Sequence, residues 1–336
     1  MAVTLCDFQR FSKLSGSRLP LALILFAPPM KIAFMGTPAL AVPCLEILAR
    51  DHQVAVVVTQ PDKLGGRGGK DVLSSPIKKW ALEHGVAVLQ PERARDEGFA
   101  EELRAFEVEA IAVVAYGQIL PDAVIEMAPK GCVNLHFSLL PRWRGAAPVQ
   151  YALWHGDKVT GVTTQWMAAK LDAGDVIQQL ETQIAPDETS GELLDRLTIV
   201  GTGVLRDTFS MLEQGRAPRR PQDESQATFC PQIKRDDARI EWNRGAVQAT
   251  NTVRAMNPWP VAWCDFRGDV LKIFRAEVEP VQGAAGEVVG VERNSILIGA
   301  GENSLRLLEV QAPGKGKMSA GDWARGARSN TGDKFD

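Results

Sequence analysis

The feature that most constrains the fold of this chain is a regular alternation of short apolar runs with helical patterns. The runs are four or five residues long and cover residues 31–35, 54–58, 86–89, 110–114 and 132–135. Apolar runs of this length, rich in β-branched residues, are typical of parallel strands buried on both faces. Between them, apolar residues recur at helical spacing. The alternation predicts an α/β domain built on a doubly wound parallel sheet.

Three later segments complete the predicted first domain. Residues 161–166 and 176–184 are predicted strands, for which an antiparallel arrangement is open. A long helix is predicted over residues 189–212, with Thr189 or Ser190 as its N-cap, because a hydroxyl side chain precedes apolar residues at helical spacing.

A second domain follows a change in composition. Residues 215–226 are polar, contain proline and lack periodicity, which is typical of a linker. Beyond them lie a helical stretch and five short β-type runs separated by glycine-rich turns, a pattern that predicts a small β-barrel. The predicted organisation is a first domain over residues 30–214, a linker over 215–231 and a second domain over 232–336.

The first 29 residues need a separate interpretation. Basic residues precede an apolar run at 19–27, which is too short to span a bilayer. Met30 then begins the first predicted strand directly. We therefore expect residues 1–29 to be a non-native or disordered extension of the fold, and we expect no association with a membrane.

Composition excludes several classes of protein. The formal net charge of the 336 residues is −3, so the chain has no global basic signature of a nucleic-acid-binding protein. The five cysteines include no C-x-x-C pair, and the four histidines are not at metal-ligand spacing. This pattern argues against a metal site and a disulfide framework. It fits a reducing compartment, and we expect a cytoplasmic protein.

Two polar residues stand out at the end of the fifth predicted strand. Asn134 and His136 are two residues apart, so both point to the same face of that strand, at the edge where open α/β sheets place their ligands. An amide donor beside an imidazole suits acyl transfer, because one can bind a developing oxyanion while the other handles a proton. The alternative is a histidine that is merely hydrogen-bonded in the core or at the surface.

Asp172 is the next candidate. It lies in a polar turn, residues 169–175, between two apolar runs. As a catalytic residue, Asp172 would orient or charge His136 and would take part in proton transfer. As a turn former, it would cap its own backbone. The spacing of 36 residues between Asp172 and His136 does not decide between these alternatives.

The glycine-rich loop at 61–70 lacks both the P-loop and the dinucleotide-binding patterns, so ATP and NAD are disfavoured. Its basic residues, Arg67 and Lys70, lie either on a flexible surface loop or against the phosphates of a nucleic acid. Similarly, Arg142 and Arg144 flank Trp143. They are either solvated charges above a packed ring or a binding site for an anionic or flat ligand.

These stretches together resemble the folate-dependent formyltransferases. The agreement begins with Asn134-x-His136, followed by SLLP at 138–141, and continues with LDAGD at 171–175. Further matching segments are FMGTP at 34–38, TQPD at 59–62, AYGQILP at 115–121, PRWRGAAP at 141–148, NPWP at 257–260 and GKGKMS at 314–319. The resemblance covers the chain from Met30 to the C-terminus.

The resemblance implies a Rossmann-like catalytic domain followed by an OB-like barrel. It also implies transfer of a formyl group from 10-formyltetrahydrofolate, without a metal, to the methionine of initiator methionyl-tRNA, by a monomer. The implied catalytic residues are Asn134, His136 and Asp172. The implied folate-binding residues are Ser138, Leu139, Leu140 and Pro141. Arg67, with Lys70 on the same loop, would contact the acceptor end of the tRNA.

Two rival functions stay open at this point. One is another 10-formyltetrahydrofolate-dependent formyltransferase or hydrolase that acts on a small-molecule amine. The other is a non-catalytic nucleic-acid-binding protein built on a barrel. The basic glycine-rich loop and the second domain favour tRNA over a small amine, and the intact Asn134, His136 and Asp172 argue against a protein without catalysis.

Overall fold

A seven-stranded sheet forms the centre of the first domain in the computed structural model, which describes residues 29–65 and 71–336. The predictions for residues 1–28 and for Arg67 and Lys70 lie outside the described residues. The strands of this domain are β1 (Lys31–Gly36), β2 (Gln53–Val58), β3 (Lys63–Gly65), β4 (Asp71–Leu73), β5 (Ala87–Leu89), β6 (Ala110–Val114), β7 (Cys132–His136), β8 (Arg144–Gly145), β9 (Val159–Trp166) and β10 (Val176–Gln183).

The strand order of the main sheet is β10-β9-β7-β6-β1-β2-β5. The five strands from β7 to β5 are parallel, while β9 and β10 continue the sheet in antiparallel pairing. This confirms the predicted doubly wound sheet. The short strands β3 and β4 form a separate antiparallel hairpin that flanks the glycine-rich loop, where the sequence predicted no strands.

Helices cover both faces of this sheet. An apolar cluster lies on each side, between the sheet and the helices that pack against it. They are α1 (Val42–Asp51), α2 (Pro76–Glu83), α3 (Glu97–Arg104), α4 (Asp122–Ile125), α5 (Pro148–Trp154) and α6 (Ser190–Glu213). The predicted N-cap of the long helix is confirmed, because the Thr189 side chain accepts from the Glu192 N–H while the Glu192 carboxylate accepts from the Thr189 N–H.

In contrast to the strands buried on both faces, β10 is half exposed and ends the sheet.

The second domain is an antiparallel sheet with two helices. Its elements are α7 (Ala246–Ala255), β12 (Ala262–Phe266), β13 (Asp269–Glu279), β14 (Val288–Val291), β15 (Ile296–Gly299), β16 (Ser304–Gln311), β17 (Met318–Ser319) and α8 (Ala320–Gly326). The strand order is β12-β13-β16-β15-β14, with β17 paired to β16. The remaining strand, β11 (Phe229–Cys230), precedes this domain and pairs in parallel with β8 of the first.

The two domains are in direct contact. The Trp154 indole N–H of α5 donates to the Thr252 hydroxyl of α7 at 3.1 Å. At the N-terminus of α6, the Ser190 hydroxyl and the Gly191 N–H both donate to the Asn257 carbonyl. One continuous apolar cluster includes residues of both domains. None of the helices in the described part of the chain has the length and apolarity needed to cross a membrane.

Candidate active site

Asn134 and His136 emerge at the carboxyl end of β7, as the sequence predicts. In the pairing with β9, Asn134 lies opposite Gln165 and His136 lies opposite Thr163, so these four side chains belong to one face of the sheet. His136 is buried and Asn134 is half-buried. Within residues 29–65 and 71–336 the Asn134 side chain has no hydrogen-bond partner, so its amide is free to donate to a ligand.

The ring of His136 is oriented by a backbone carbonyl. Its Nε2 lies 2.8 Å from the carbonyl oxygen of Trp143. A carbonyl can only accept, so Nε2 carries a proton. The Cys230 thiol donates to the same oxygen at 3.1 Å, and burial raises the pKa of that thiol to about 12, which keeps it protonated. The second ring nitrogen, Nδ1, is therefore the position at which His136 can gain or lose a proton.

Asp172 comes within reach of that second nitrogen. Its Oδ2 lies 3.7 Å from His136 Nδ1, which is an ion-pair distance but longer than a hydrogen bond. Of the two roles predicted for Asp172, to orient His136 or to charge it, the distance favours the second, because the Trp143 carbonyl determines which ring nitrogen is protonated. Asp172 supplies a negative charge that faces Nδ1.

Two donors hold the Asp172 carboxylate in place. The Gly145 N–H donates to Oδ2 at 2.9 Å, and the Gln165 side-chain amide donates to Oδ1 at 3.0 Å. Asp172 itself has a φ of +48°, in the left-handed region that non-glycine residues rarely adopt. The carboxylate is thus fixed by its neighbours rather than by local backbone preference.

The loop after β7 is held rigidly by hydrogen bonds. The Ser138 hydroxyl donates to the Arg142 carbonyl at 2.6 Å, and the Thr163 hydroxyl donates to the Ser138 carbonyl at 2.6 Å. The Gln179 amide of β10 donates to the Leu140 carbonyl at 2.7 Å. Ser138 is fully buried, so it shapes the loop from inside and does not face a ligand.

A groove of about 530 Å³ lies between this loop and β10. Its walls are formed by Leu139, Leu140, Pro141, Arg142, Gln179, Glu181 and Gln226. Three of the four residues predicted to bind a ligand line it directly. The apolar side chains of the loop face polar side chains of β10, so the groove suits a molecule with a flat apolar part and polar edges.

The Arg-Trp-Arg segment matches the alternative of a charge above a packed ring at Arg142, but not at Arg144. Arg142 is half exposed, pairs with Asp157 at 2.6 Å and stacks over the buried Trp143 ring. Arg144 is fully buried. Its guanidinium donates to Gln222 and to Glu224, two residues of the segment that joins the domains.

That joining segment is part of the site's surroundings. We call residues 220–230 the strap. Arg220 exchanges two backbone hydrogen bonds with Val176 of β10, and the Arg144 N–H donates to the Thr228 carbonyl at 2.8 Å. The strap therefore lies against the loop that follows β7 and against the turn that carries Asp172.

Sequence reasoning missed Gln165, Gln222 and the Trp143 carbonyl. Gln165 left a signal, since it is an amide side chain near the end of a strand whose residues are almost all buried. Gln222 lies in a polar segment where nothing marks it, and a main-chain carbonyl has no sequence signature. In the described ranges, no group of three or more His, Cys, Asp or Glu side chains is placed to hold a metal ion.

Comparison with known proteins gives consistent results for both domains. The Formyl transferase family model matches residues 30–208, and the model for the Formyl transferase C-terminal domain matches residues 232–328. A methionyl-tRNA formyltransferase from Moorella thermoacetica is 45% identical over 300 residues, which are 88% of this chain and 96% of that protein. One from Alkaliphilus oremlandii is 41% identical over the same shares of each chain.

Among solved structures, a methionyl-tRNA formyltransferase from Clostridium thermocellum superposes with a TM-score of 0.52. It is 18% identical, and the match covers 74% of this chain and 93% of that one. At this level of identity the likeness concerns the fold alone.

Proposed function

This chain belongs to the methionyl-tRNA formyltransferases, and on that premise we propose that Asn134, His136 and Asp172 are its catalytic residues. The enzyme moves the formyl group of 10-formyltetrahydrofolate to the α-amino group of methionine on initiator tRNA. The observation that supports the catalytic assignment is the convergence of the three side chains at one edge of the sheet. Asp172 Oδ2 and His136 Nδ1 are 3.7 Å apart there, beside an unengaged Asn134 amide.

The formyl donor fits the groove beside residues 138–141. Pockets for ligands of this size typically have volumes of roughly 300–1,000 Å³, and the groove has about 530 Å³. Leu139, Leu140 and Pro141 offer an apolar wall for a flat ring, and Gln226 of the strap lies at the same groove. We assign Ser138 to the shape of this wall, since its hydroxyl is engaged within the loop. The bound folate supplies an activated formyl group.

Asn134 acts on the charge that develops as the amine attacks. Attack by the amine moves negative charge onto the formyl oxygen, and the Asn134 amide can donate to it because no other described residue uses that donor. A single pre-organised donor of this kind is typically worth on the order of 3 kcal/mol in the transition state. The strand that carries this amide is held between β6 and β9.

His136 and Asp172 manage the proton of the amine. An aminoacyl α-amine with a pKa of about 8 is largely protonated at pH 7, so a proton must leave before or during attack. His136 Nε2 is engaged with the Trp143 carbonyl, which leaves Nδ1 as the exchanging position. The carboxylate of Asp172 faces Nδ1 at a distance of 3.7 Å, beside the position at which a proton would be taken up. The pair therefore accepts the proton that the amine loses. It can return a proton to the folate nitrogen when the bond from that nitrogen to the formyl carbon breaks, so that tetrahydrofolate leaves.

We also propose which residues contact the tRNA, in which oligomeric state the enzyme acts and where in the cell it acts. Arg67 and Lys70 belong to the loop between β3 and β4, and we propose that they contact the acceptor end of initiator methionyl-tRNA. The net charge of −3 favours such local contacts over a globally basic surface. We propose that the enzyme acts as a monomer in the cytoplasm.

The catalytic assignment is tested by Asn134→Ala in single-turnover formylation of charged initiator tRNA. We expect the rate of the chemical step to fall about 100- to 1,000-fold, as for loss of one oxyanion donor. Asn294→Ala, at an exposed asparagine of the second domain, is the matched control and should keep the full rate. An unchanged chemical step in Asn134→Ala would refute the assignment. Equal turnover of a small-molecule amine would instead support the rival formyltransferase function.

A further inference from the structure

Gln222 of the strap touches the catalytic turn from outside the catalytic set. Its side-chain amide Nε2 donates to the Gly174 carbonyl at 2.7 Å and to the Asp172 carbonyl at 2.9 Å. It also lies 3.3 Å from Oε1 of Gln165. All three acceptors belong to Asp172, to its turn or to the side chain that donates to its carboxylate.

The orientation of the Gln222 amide is determined by Arg144. The Arg144 guanidinium can only donate, and it contacts Oε1 of Gln222 through Nε at 3.1 Å and through Nη2 at 2.8 Å. Oε1 must therefore face Arg144, so the NH₂ group must face the catalytic turn. Arg144 has no solvent exposure, which means that the cation that imposes this orientation is itself fixed by packing.

The turn requires this support. Asp172 adopts a left-handed φ of +48°, which is unfavourable for a residue with a β-carbon. A β-carbon added at Gly174 would lie 1.7 Å from the Trp166 carbonyl, so the turn is pressed against β9. Strained segments persist only where their surroundings over-determine them. Two of the turn's carbonyls receive their hydrogen bonds from Gln222.

A directed chain of donors links the strap to the carboxylate. Arg144 donates to Gln222, whose NH₂ group shares its two hydrogens among the two carbonyls of the turn and, at 3.3 Å, Oε1 of Gln165. Gln165 in turn donates to Oδ1 of Asp172 at 3.0 Å. Each amide has one orientation in this chain, because reversing any member would place two donors or two acceptors face to face. Loss of the Gln222 donor would remove both the support of the turn and the constraint on Gln165.

We propose that Gln222 is a positioning residue for Asp172, so that the segment joining the two domains contributes to the chemical step. The proposal rests on the proposed function, in which Asp172 acts with His136. It assigns a role in formyl transfer to a residue that does not itself reach the reacting atoms.

The test begins with Gln222→Met, which keeps the length of the side chain but removes the N–H donors. We expect the single-turnover formylation rate to fall about 10- to 100-fold, the effect of a misplacement of about 1 Å, with KM values for folate and charged tRNA nearly unchanged. Gln311→Met is the matched control. Gln311 makes one exposed bond to the Lys315 carbonyl in the second domain, so its loss should leave the rate unchanged.

Gln222→Glu is a second variant that separates loss of the N–H donors from loss of folding. A glutamate keeps its contact with Arg144, so the strap stays docked, but it has no N–H to donate to the turn. We expect at least the same fall in rate in an enzyme that still unfolds cooperatively, with a lower melting temperature because the second carboxylate oxygen faces the carbonyls of the turn. A fully active Gln222→Glu enzyme would overturn the proposal.

A double-mutant cycle with Asp172→Asn separates positioning from general damage. If Gln222 acts through Asp172, then Gln222→Met has little further effect once Asp172→Asn is present. Fully additive losses would mean that Gln222 is only structural, and would overturn the proposal. If Asp172→Asn alone keeps the wild-type rate, the proposed catalytic set fails instead, so the two failures are distinguishable.

Discussion

At the scale of single residues, the most unusual group near the site is the buried guanidinium of Arg144. Its charge is compensated by Glu224, which is more than half exposed and also pairs with Lys170. The hydrogen bonds from Arg144 and then from Lys170 lower the pKa of the Glu224 carboxyl from 4.5 to about 2. A carboxyl whose pKa falls on folding adds stability above its unfolded pKa, and that contribution is lost as the pH drops through the folded value.

Glu224→Gln should therefore destabilise the enzyme in a pH-dependent way. We expect a lower melting temperature than wild type at pH 7, with the difference shrinking as the pH falls from 4.5 towards 2. The effect should be modest, because solvent screens an exposed carboxylate. Thermal unfolding monitored at pH 7 and pH 3 checks this, with Glu302→Gln at an exposed turn as the control. Equal differences at both pH values would contradict it.

Residue-scale prediction from the sequence succeeded where periodicity carried the information. Asn134 and His136 were predicted to share one face because a strand repeats every two residues, and the pairing with β9 agrees. The 3.7 Å approach of Asp172 was not predictable from the spacing, because it depends on how β9 and β10 pair across the turn. The contact of the Trp143 carbonyl with His136 could not be predicted, since every residue type provides the same backbone carbonyl.

At the scale of elements, α6 shows how local sequence determines a helix boundary. Thr189 and Glu192 form a reciprocal capping box, and the bond from the Thr189 N–H lowers the pKa of the Glu192 carboxyl. The same helix end receives the Asn257 turn of the second domain. The seven strands of the main sheet were predictable because their patterns are local, whereas the hairpin of β3 and β4 was not predicted. The pairing of β8 with β11 was not predictable, because each of these strands is only two residues long and carries no periodic pattern.

Thr189→Ala should destabilise the enzyme by about 1 kcal/mol, the usual effect of losing an N-cap hydroxyl. Thr189→Ser retains the hydroxyl and should stay close to wild type. Urea unfolding of the two variants provides the measurement. A cap that contributed nothing would leave Thr189→Ala and Thr189→Ser with the same midpoint as wild type.

At the scale of the whole molecule, the two domains share contacts along α5, α7 and the start of α6. The Trp154 to Thr252 hydrogen bond joins one helix of each domain, and Thr252 is buried. Because the apolar cluster is continuous across this boundary, we expect the domains to lose stability together. The sequence predicted two domains, but it held no periodic signal for how closely they pack.

Trp154→Phe tests this coupling by removing the indole donor while keeping most of the packing. We expect a loss of about 1 kcal/mol, typical of one hydrogen bond. Hydrogen exchange followed by mass spectrometry should show faster opening in peptides from both domains. Faster exchange confined to the first domain would mean that the domains open independently.

The docking of the strap has a consequence for how such enzymes can be recombined. A chimera joined at residue 214 would take residues 220–230 from the donor of the second domain and set them against a foreign catalytic turn. Gln222 would then face the backbone carbonyls of a turn from a different enzyme, and Glu224 would face the arginine of that enzyme. The part of the chain on which catalysis depends therefore extends through Cys230, which lies beyond Glu213, the last residue of α6. Exchange of the second domain should be made after that cysteine.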